Sequence, residues 1–445
     1  MAAPSSVPWH PDRRWADPLI ALLALLALLA AGSTLLVRKQ AASRPAARVS
    51  LQGRLTEVAL AGPGLLAGGG RKAPDWTKAE RQVQAPWDRA LLAVLKRELA
   101  EAPPLPAPAE PPVPEGPGGA PFRRAWQAAY EGAPLPDRTD RAEVRRRLGN
   151  GYGADLLEAR LLDREGGGEP LRQQARKALM ARLAGLGLLG ALVTGLVVGG
   201  LAVGIYLLVD RRRVPVQPLP AWGLSGRAAA LVFLGWFLFF FLAGHLAALL
   251  LLPWPALRWL VVPLGYALHA GFGLRLLCWA EGIRPSILWR RVAPGPVGRD
   301  LAWGGAFLAL AVFLVITVAL VSSLALKPEQ SPQRDLQELL RGLSGWAANL
   351  ALFLTVAGLA PLFEELLFRG FLLPVLAWRH PMALALAATA LLFGAIHLQP
   401  AGLPVLGTLG LALGLAMRQT GSLRAPILVH ACWNGSLFLL MRAFA

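Results

Sequence analysis

Cysteine is almost missing from this chain: two in 445 residues, Cys278 and Cys432, both inside apolar stretches. That excludes a disulfide framework and a thiolate metal site. Acid is scarce as well, with 27 Asp and Glu against 45 Lys and Arg and a net charge of +18. An excess of that sign raises nucleic acid as a partner. However, the basic residues gather at the ends of apolar runs, as in Arg211-Arg212-Arg213, Arg290-Arg291 and Arg379, and no aromatic and basic platform for stacking bases accompanies them. The clusters read as orientation signals that touch anionic headgroups of membrane lipid, with no nucleic-acid partner. Metal-protease signatures are missing too: no HExxH helix occurs.

What the chain has in quantity is apolar sequence, 55% of residues, with a mean hydropathy of +0.47. It falls in runs of the length a bilayer core requires. Spans are expected near 18–37, 183–209, 228–252, 256–278, 301–325, 343–360, 381–397, 402–417 and 424–441, the last four short or interrupted. The expected fold is therefore all-α, a polytopic transmembrane helical bundle of eight or nine spans. Gly195-x3-Gly199, Gly200-x3-Gly204 and Gly410-x3-Gly414 supply small faces for close helix packing. The first run follows Arg13 and Arg14, is longer than a usual signal core, and lacks a small-x-small cleavage site before Arg38, so residues 1–37 read as a tail and an uncleaved anchor.

Residues 38–177 are a different material. They are polar and broken by Gly68-Gly69-Gly70, a Pro-rich tract from Pro103 to Pro121, and Gly166-Gly167-Gly168. Short helical patterns such as Trp87 to Ala100 and Ala154 to Arg164 lie between the breakers, so the insert reads either as a small helical domain or as a flexible segment. It carries no motif with chemistry, and recruiting a partner is one role open to it. With Arg211-Arg212-Arg213 in the cytoplasm, the loop 279–300 and the Arg418/Arg424 turn fall on the cytoplasmic side, and the loop 326–342 and the insert outside. Arg38 and Lys39 count against this orientation, although long loops obey the rule poorly.

Against so much apolar sequence, Glu364-Glu365-x3-Arg369 needs a reason, because an ionisable group at a helix centre in lipid costs roughly 2.5–3.5 kcal/mol. Glu365 and Arg369 are four apart and face one another, while Glu364 is turned away from that pair. A carboxylate left without a local partner is a candidate general base. Downstream, Phe393-x3-His397 stands before the breaker Gln399-Pro400, and His430-x3-Asn434 puts two hydrogen-bonding side chains on one face of the last helix. A carboxylate, an imidazole and two convergent donors are the parts for attack of water on a carbonyl. The rival reading makes Glu364, His397 and His430 a three-ligand zinc set with water in the fourth position. His245 and His269 read as satisfied packing residues, and His10 and His380 as segment-end residues.

These segments resemble the family of type II CAAX prenyl proteases and bacteriocin-processing enzymes, also called Abi or CPBP. The resemblance rests on Glu364-Glu365-x3-Arg369, Phe393-x3-His397 and His430-x3-Asn434 in that order, and on the approach Thr420-Gly421-Ser422-Leu423-Arg424-Ala425-Pro426 to the third motif. It covers about residues 340–441, leaving 178–339 as variable transmembrane helices and 38–177 outside it altogether. It implies an intramembrane endopeptidase, opening toward the cytosol, that cuts a membrane-associated protein or peptide. In the family mechanism the residue matching Glu364 activates water with help from the one matching His397. Those matching His430 and Asn434 stabilise the oxyanion, and Glu365, Arg369 and Phe393 shape the site. No cofactor is favoured, with zinc as the alternative. A non-enzymatic membrane partner, such as an immunity or scaffold protein, is the second functional class. A transporter fits poorly because no inverted repeat is evident. The Ala, Leu, Arg and Pro bias points to a bacterial inner membrane.

Overall fold

The computed structural model describes residues 10–42, 49, 51–66, 76–83, 85–99, 113–114, 118–210, 216–323 and 345–444. Gly68-Gly69-Gly70, most of the Pro-rich tract, Arg211-Arg212-Arg213, the loop 326–342, and the side chains of Arg38 and Lys39 lie outside the described residues. Every regular element among the described residues is helical. In chain order these are α1 (Arg13–Ala42), α2 (Leu51–Leu66), α3 (Trp76–Gln82), α4 (Pro86–Leu99), α5 (Gly119–Tyr130), α6 (Arg138–Leu148), α7 (Tyr152–Asp163), α8 (Gly168–Val209), α9 (Gly226–Leu251), α10 (Val261–Glu281), α11 (Pro285–Val292) and α12 (Val297–Ser323). Then come α13, a continuous run from Trp346 to Arg379, α14 (Met382–Ile396), α15 (Leu403–Thr420) and α16 (Arg424–Phe444).

The chain divides into two compact units, Met1–Ala41 with Val193–Arg442, and Ala42–Leu192 with Ala443–Ala445. In the second unit α4, α5 and α7 bury Trp87, Leu91, Leu95, Phe122, Trp126 and Leu157, with Trp87 and Phe122 edge to face at 5.9 Å. The arginines of α6 are answered locally: Arg141 by Glu158, Arg145 by Asp155, Arg147 by Glu143.

The chain is an integral membrane protein by its helices. Among the described residues, seven helices are long and apolar enough to cross a bilayer: Arg13–Thr34, Gly168–Val209, Gly226–Leu251, Pro255–Glu281, Val297–Ser323, Trp346–Arg379 and Pro400–Thr420. Two expected spans differ. Met382–Ile396 has 15 residues, about 22 Å of helix against a hydrocarbon core of about 30 Å. The last helix, α16, is diluted by His430, Asn434 and Arg442 and is not among the seven. A third difference bears on the site. The span expected at 343–360 does not stop before the glutamates; α13 continues for 34 residues and carries them in its interior. Two stretches of π-helix, Thr355–Leu359 and Leu366–Leu372, bracket Ala360–Glu365. The wider turn accommodates Pro361 without ending the helix.

Small residues set the close approaches. A side chain at Gly200 would strike the backbone of Ala309 on α12, and one at Gly410 would meet Ala390 and Phe393 of α14 within 3.1–3.2 Å. Gly195, by contrast, faces open space. At one end of the unit the connecting segments bind one another. Arg379 donates to Leu224 O at 3.0 Å, Trp222 Nε1 to Gly370 O at 2.8 Å, Gly223 N to Glu281 at 2.9 Å, and Leu423 N to Val292 O at 2.8 Å. The segments 216–225, 281–300 and 421–424 therefore share one rim with the end of α13.

Candidate active site

Below that rim, α13 delivers Glu365 and Arg369 into the interior, both fully buried. Arg369 Nη1 donates to Glu365 Oε1 at 2.8 Å, and Nη2 donates to Gly410 O on α15 at 2.9 Å. The guanidinium lies 4.4 Å from the centre of the Phe393 ring, a cation–π contact that helps a desolvated charge. The same carboxylate oxygen holds a second partner, His430 Nδ1 of α16, at 2.8 Å. A carboxylate only accepts, so Nδ1 carries the proton and Nε2 is the free ring nitrogen. That Nε2 lies 3.9 Å from Glu364 Oε2.

Not all of the cluster's polar valence is filled. Glu364 Oε2, Glu365 Oε2 and Arg369 Nε are buried with no hydrogen-bond partner in the protein. Glu364 keeps 20% side-chain exposure, whereas Glu365 has none. Glu364 is thus the less enclosed side chain of the two.

His397 ends α14, its Nδ1 2.7 Å from Phe393 O, so the proton again sits on Nδ1 and Nε2 points elsewhere. Phe393 connects the two histidines: its ring is edge-on to His397 at 5.0 Å and to His430 at 5.6 Å. Leu398 follows with φ +53°, left-handed backbone in a non-glycine residue, strain of about 1–3 kcal/mol that the surroundings must hold. Glu364, Glu365, Arg369, Phe393 and His430 thus form one contacting group, with His397 attached through Phe393. Asn434 stands one turn beyond His430, its Nδ2 engaged by Val356 O at 3.1 Å on the first π-turn.

The zinc alternative requires Glu364, His397 and His430 to converge. Among the described residues, no three His, Cys, Asp or Glu side chains form a group able to hold a metal ion. The other histidines divide. His245 is satisfied by Phe241 O at 2.7 Å, but His269, expected to be satisfied, packs against Trp236 and Phe240 with a buried Nδ1 that has no hydrogen-bond partner. Aromatic packing there took the place of a hydrogen bond. Cys278 and Cys432 are free thiols.

Some participants carry no sequence signal. Gly410 and Val356 act through backbone carbonyls, and Tyr266 on α10, half-buried, lies within electrostatic reach of Glu364. Gly410 was visible as a packing glycine, but not as an acceptor for Arg369.

Residues 346–436 match the family model described as type II CAAX prenyl endopeptidase Rce1-like, about a fifth of the chain. The matched segment contains every member of the cluster from Glu364 to Asn434. Residues 346–436 are thus similar to an Rce1-like domain. No curated protein and no solved structure matches the chain.

Proposed function

We propose that this protein is an intramembrane endopeptidase that hydrolyses a peptide bond of a membrane-associated protein or peptide. The observation that carries this reading is the division of labour between adjacent glutamates: Glu365 is bound by Arg369 and His430, while the partly exposed Glu364 faces His430 Nε2 with an Oε2 that has no hydrogen-bond partner in the protein. Glu364 takes a proton from water as the water oxygen attacks the scissile carbonyl, and later gives that proton to the leaving amine. His397, its ring oriented by the bond of Nδ1 to Phe393 O, holds the water. The oxyanion is met by His430 Nε2–H when the ring carries both of its protons. Asn434 joins by releasing Val356 O. Glu365 and Arg369 orient His430, and Phe393 sets the spacing of the two imidazoles. No step runs through a metal.

The surrounding bilayer supplies membrane lipid as solvent for the bundle. The rim opens toward the cytoplasm of a bacterial inner membrane, since it gathers the basic residues Arg291, Arg299, Arg379 and Arg424. The insert 38–177, read as extracytoplasmic from the basic clusters of the sequence, is suited to recruiting a partner.

The test is cleavage of a membrane-peptide library by the purified wild type and Glu364→Gln in detergent, read by mass spectrometry with and without a zinc chelator. Cleavage by the wild type alone that survives chelation supports the reading. Cleavage lost to the chelator and restored by zinc replaces it with a metal mechanism. No cleavage by folded wild type moves the assignment to a binding partner.

A further inference from the structure

The helix that brings His430 to the active cluster is fastened at the rim by a residue outside the Rce1-like match. Asp300, in the first turn of α12, is fully buried. Its Oδ1 accepts from Arg299 Nη2 at 3.0 Å, and its Oδ2 from Arg424 Nη1 at 3.0 Å. Arg299 Nη2 also reaches Thr420 O at 3.1 Å, at the end of α15, and Arg424 Nη1 reaches Gly295 O at 3.0 Å. One carboxylate therefore fastens the last residue of α15 and the first of α16 to the segment 295–300.

Arg424 is six residues ahead of His430, about 9 Å along the helix, so its anchoring sets both depth and rotation of the imidazole. The turn between α15 and α16 adds no slack of its own. Gly421 has φ +63° and lies against Pro218 and Gln217, where a side chain would not fit, and Thr420 Oγ1 bonds to Ala416 O and Ser422 O. The other motif helix is held at the same rim. Trp222 donates to Gly370 O, the residue after Arg369, and its ring carries Arg291, which pairs with buried Glu281 at 2.5 Å. The Glu365–His430 contact is thus made between two helices that are each clamped within about two turns of it.

We propose that Asp300 is a positioning residue for the active cluster: acting through Arg424 and Arg299, it sets the register of α16 that brings His430 onto Glu365 and Glu364. This rests on the endopeptidase reading above. The neutral near-isostere Asp300→Asn keeps the volume and removes the charge that holds both arginines. A change of 20° in helix rotation displaces a ring nitrogen by enough to matter, since misplacement by 1 Å costs about 100-fold in rate.

The experiment compares wild type, Asp300→Asn, Asp300→Glu and Arg424→Lys in detergent, by cleavage kinetics on the best library peptide and by hydrogen exchange at the imidazole C2 position of His430 and His397. Expected for Asp300→Asn is a fall in kcat of at least 10-fold with KM within about 2-fold, a changed exchange rate at His430, an unchanged rate at His397, and partial recovery in Asp300→Glu. Arg424→Lys, which keeps the charge, shows the same pattern more weakly and serves if Asp300→Asn does not fold. Wild-type kcat and His430 exchange in folded variants, with only a lowered melting temperature, overturn the proposal. If the wild type cleaves nothing, the endopeptidase reading fails while the exchange at His430 still decides the positioning role.

Discussion

Among the described residues, two arginine–glutamate pairs are buried at both partners, one in each unit, and they differ in how completely they are satisfied. In the 42–192 unit, Arg54 pairs with Glu57 three residues on at 3.2 Å, and the second oxygen of Glu57 accepts from Gly153 N at 2.6 Å. Gly149 and Gly151 stand so close to the Arg54 guanidinium that a side chain there would collide with it. That pair is closed, with both carboxylate oxygens answered and glycine backbone around it. The Glu365–Arg369 pair has the same chemistry and equal burial, but one oxygen of Glu365 is doubly occupied while the other, with Arg369 Nε and Glu364 Oε2, has no protein partner. Burial of charge alone does not mark a site. Unfilled hydrogen-bonding capacity beside an imidazole does, because an orphaned buried polar group costs stability and persists where function requires it.

The comparison breaks first under removal of each arginine. Arg369→Met and Arg54→Met each strand a buried carboxylate, at about 3–5 kcal/mol, and thermal unfolding in detergent should fall in both. Only Arg369→Met should also abolish cleavage; an Arg54→Met protein that folds yet fails to cleave would undo the distinction. Next is Glu364→Gln, isosteric and partly exposed. Its unfolding should stay within about 0.5 kcal/mol of wild type while cleavage drops by about 10²–10⁴-fold, the usual worth of a general base.

A smaller effect tests the support beneath Arg369. Gly410→Ala pushes a methyl against Ala390 backbone and Phe393, an overpacking cost of about 1–3 kcal/mol, and should lower cleavage by displacing the Gly410 carbonyl. Gly195→Ala, facing open space, should change unfolding by no more than about 0.5 kcal/mol. The last prediction concerns pH and the 42–192 unit. Burial pushes the Glu98 carboxyl up, with the Tyr130 hydroxyl donating to it at 3.0 Å as a partial offset. The folded state then holds that proton more tightly than the unfolded state. Its stability is greatest below the ordinary glutamate range and declines as pH rises through the raised value. Amide exchange in α4 and α5 between pH 4 and 7 should show this slope in wild type, and Glu98→Gln should flatten it.

Much of the site was legible because helical spacing is local. Glu365 and Arg369 fall on one face by a four-residue step, His430 and Asn434 by another, and the ordered motifs imply the family before any coordinate does. The spans were legible for the same reason, with errors where a local rule was overridden. The span expected at 343–360 stopped short of the two glutamates, yet α13 runs on past them through its π-turns. His269 read as satisfied because histidines in apolar helices usually find an acceptor, and its aromatic neighbours on α9 were not adjacent in sequence.

By itself the sequence determined a helical membrane protein, the polar residues it cannot leave unexplained, and their grouping by helix, since hydropathy and a 3.6-residue period are properties of neighbouring residues. Which glutamate is engaged and which is left less enclosed was decided only in three dimensions. So was the tautomer of His430, held by a carboxylate 65 residues away, the bond of Asn434 to Val356 and the grip of Asp300 on Arg424. Those depend on how helices distant in the chain are rotated and packed against one another, and no local period carries that information.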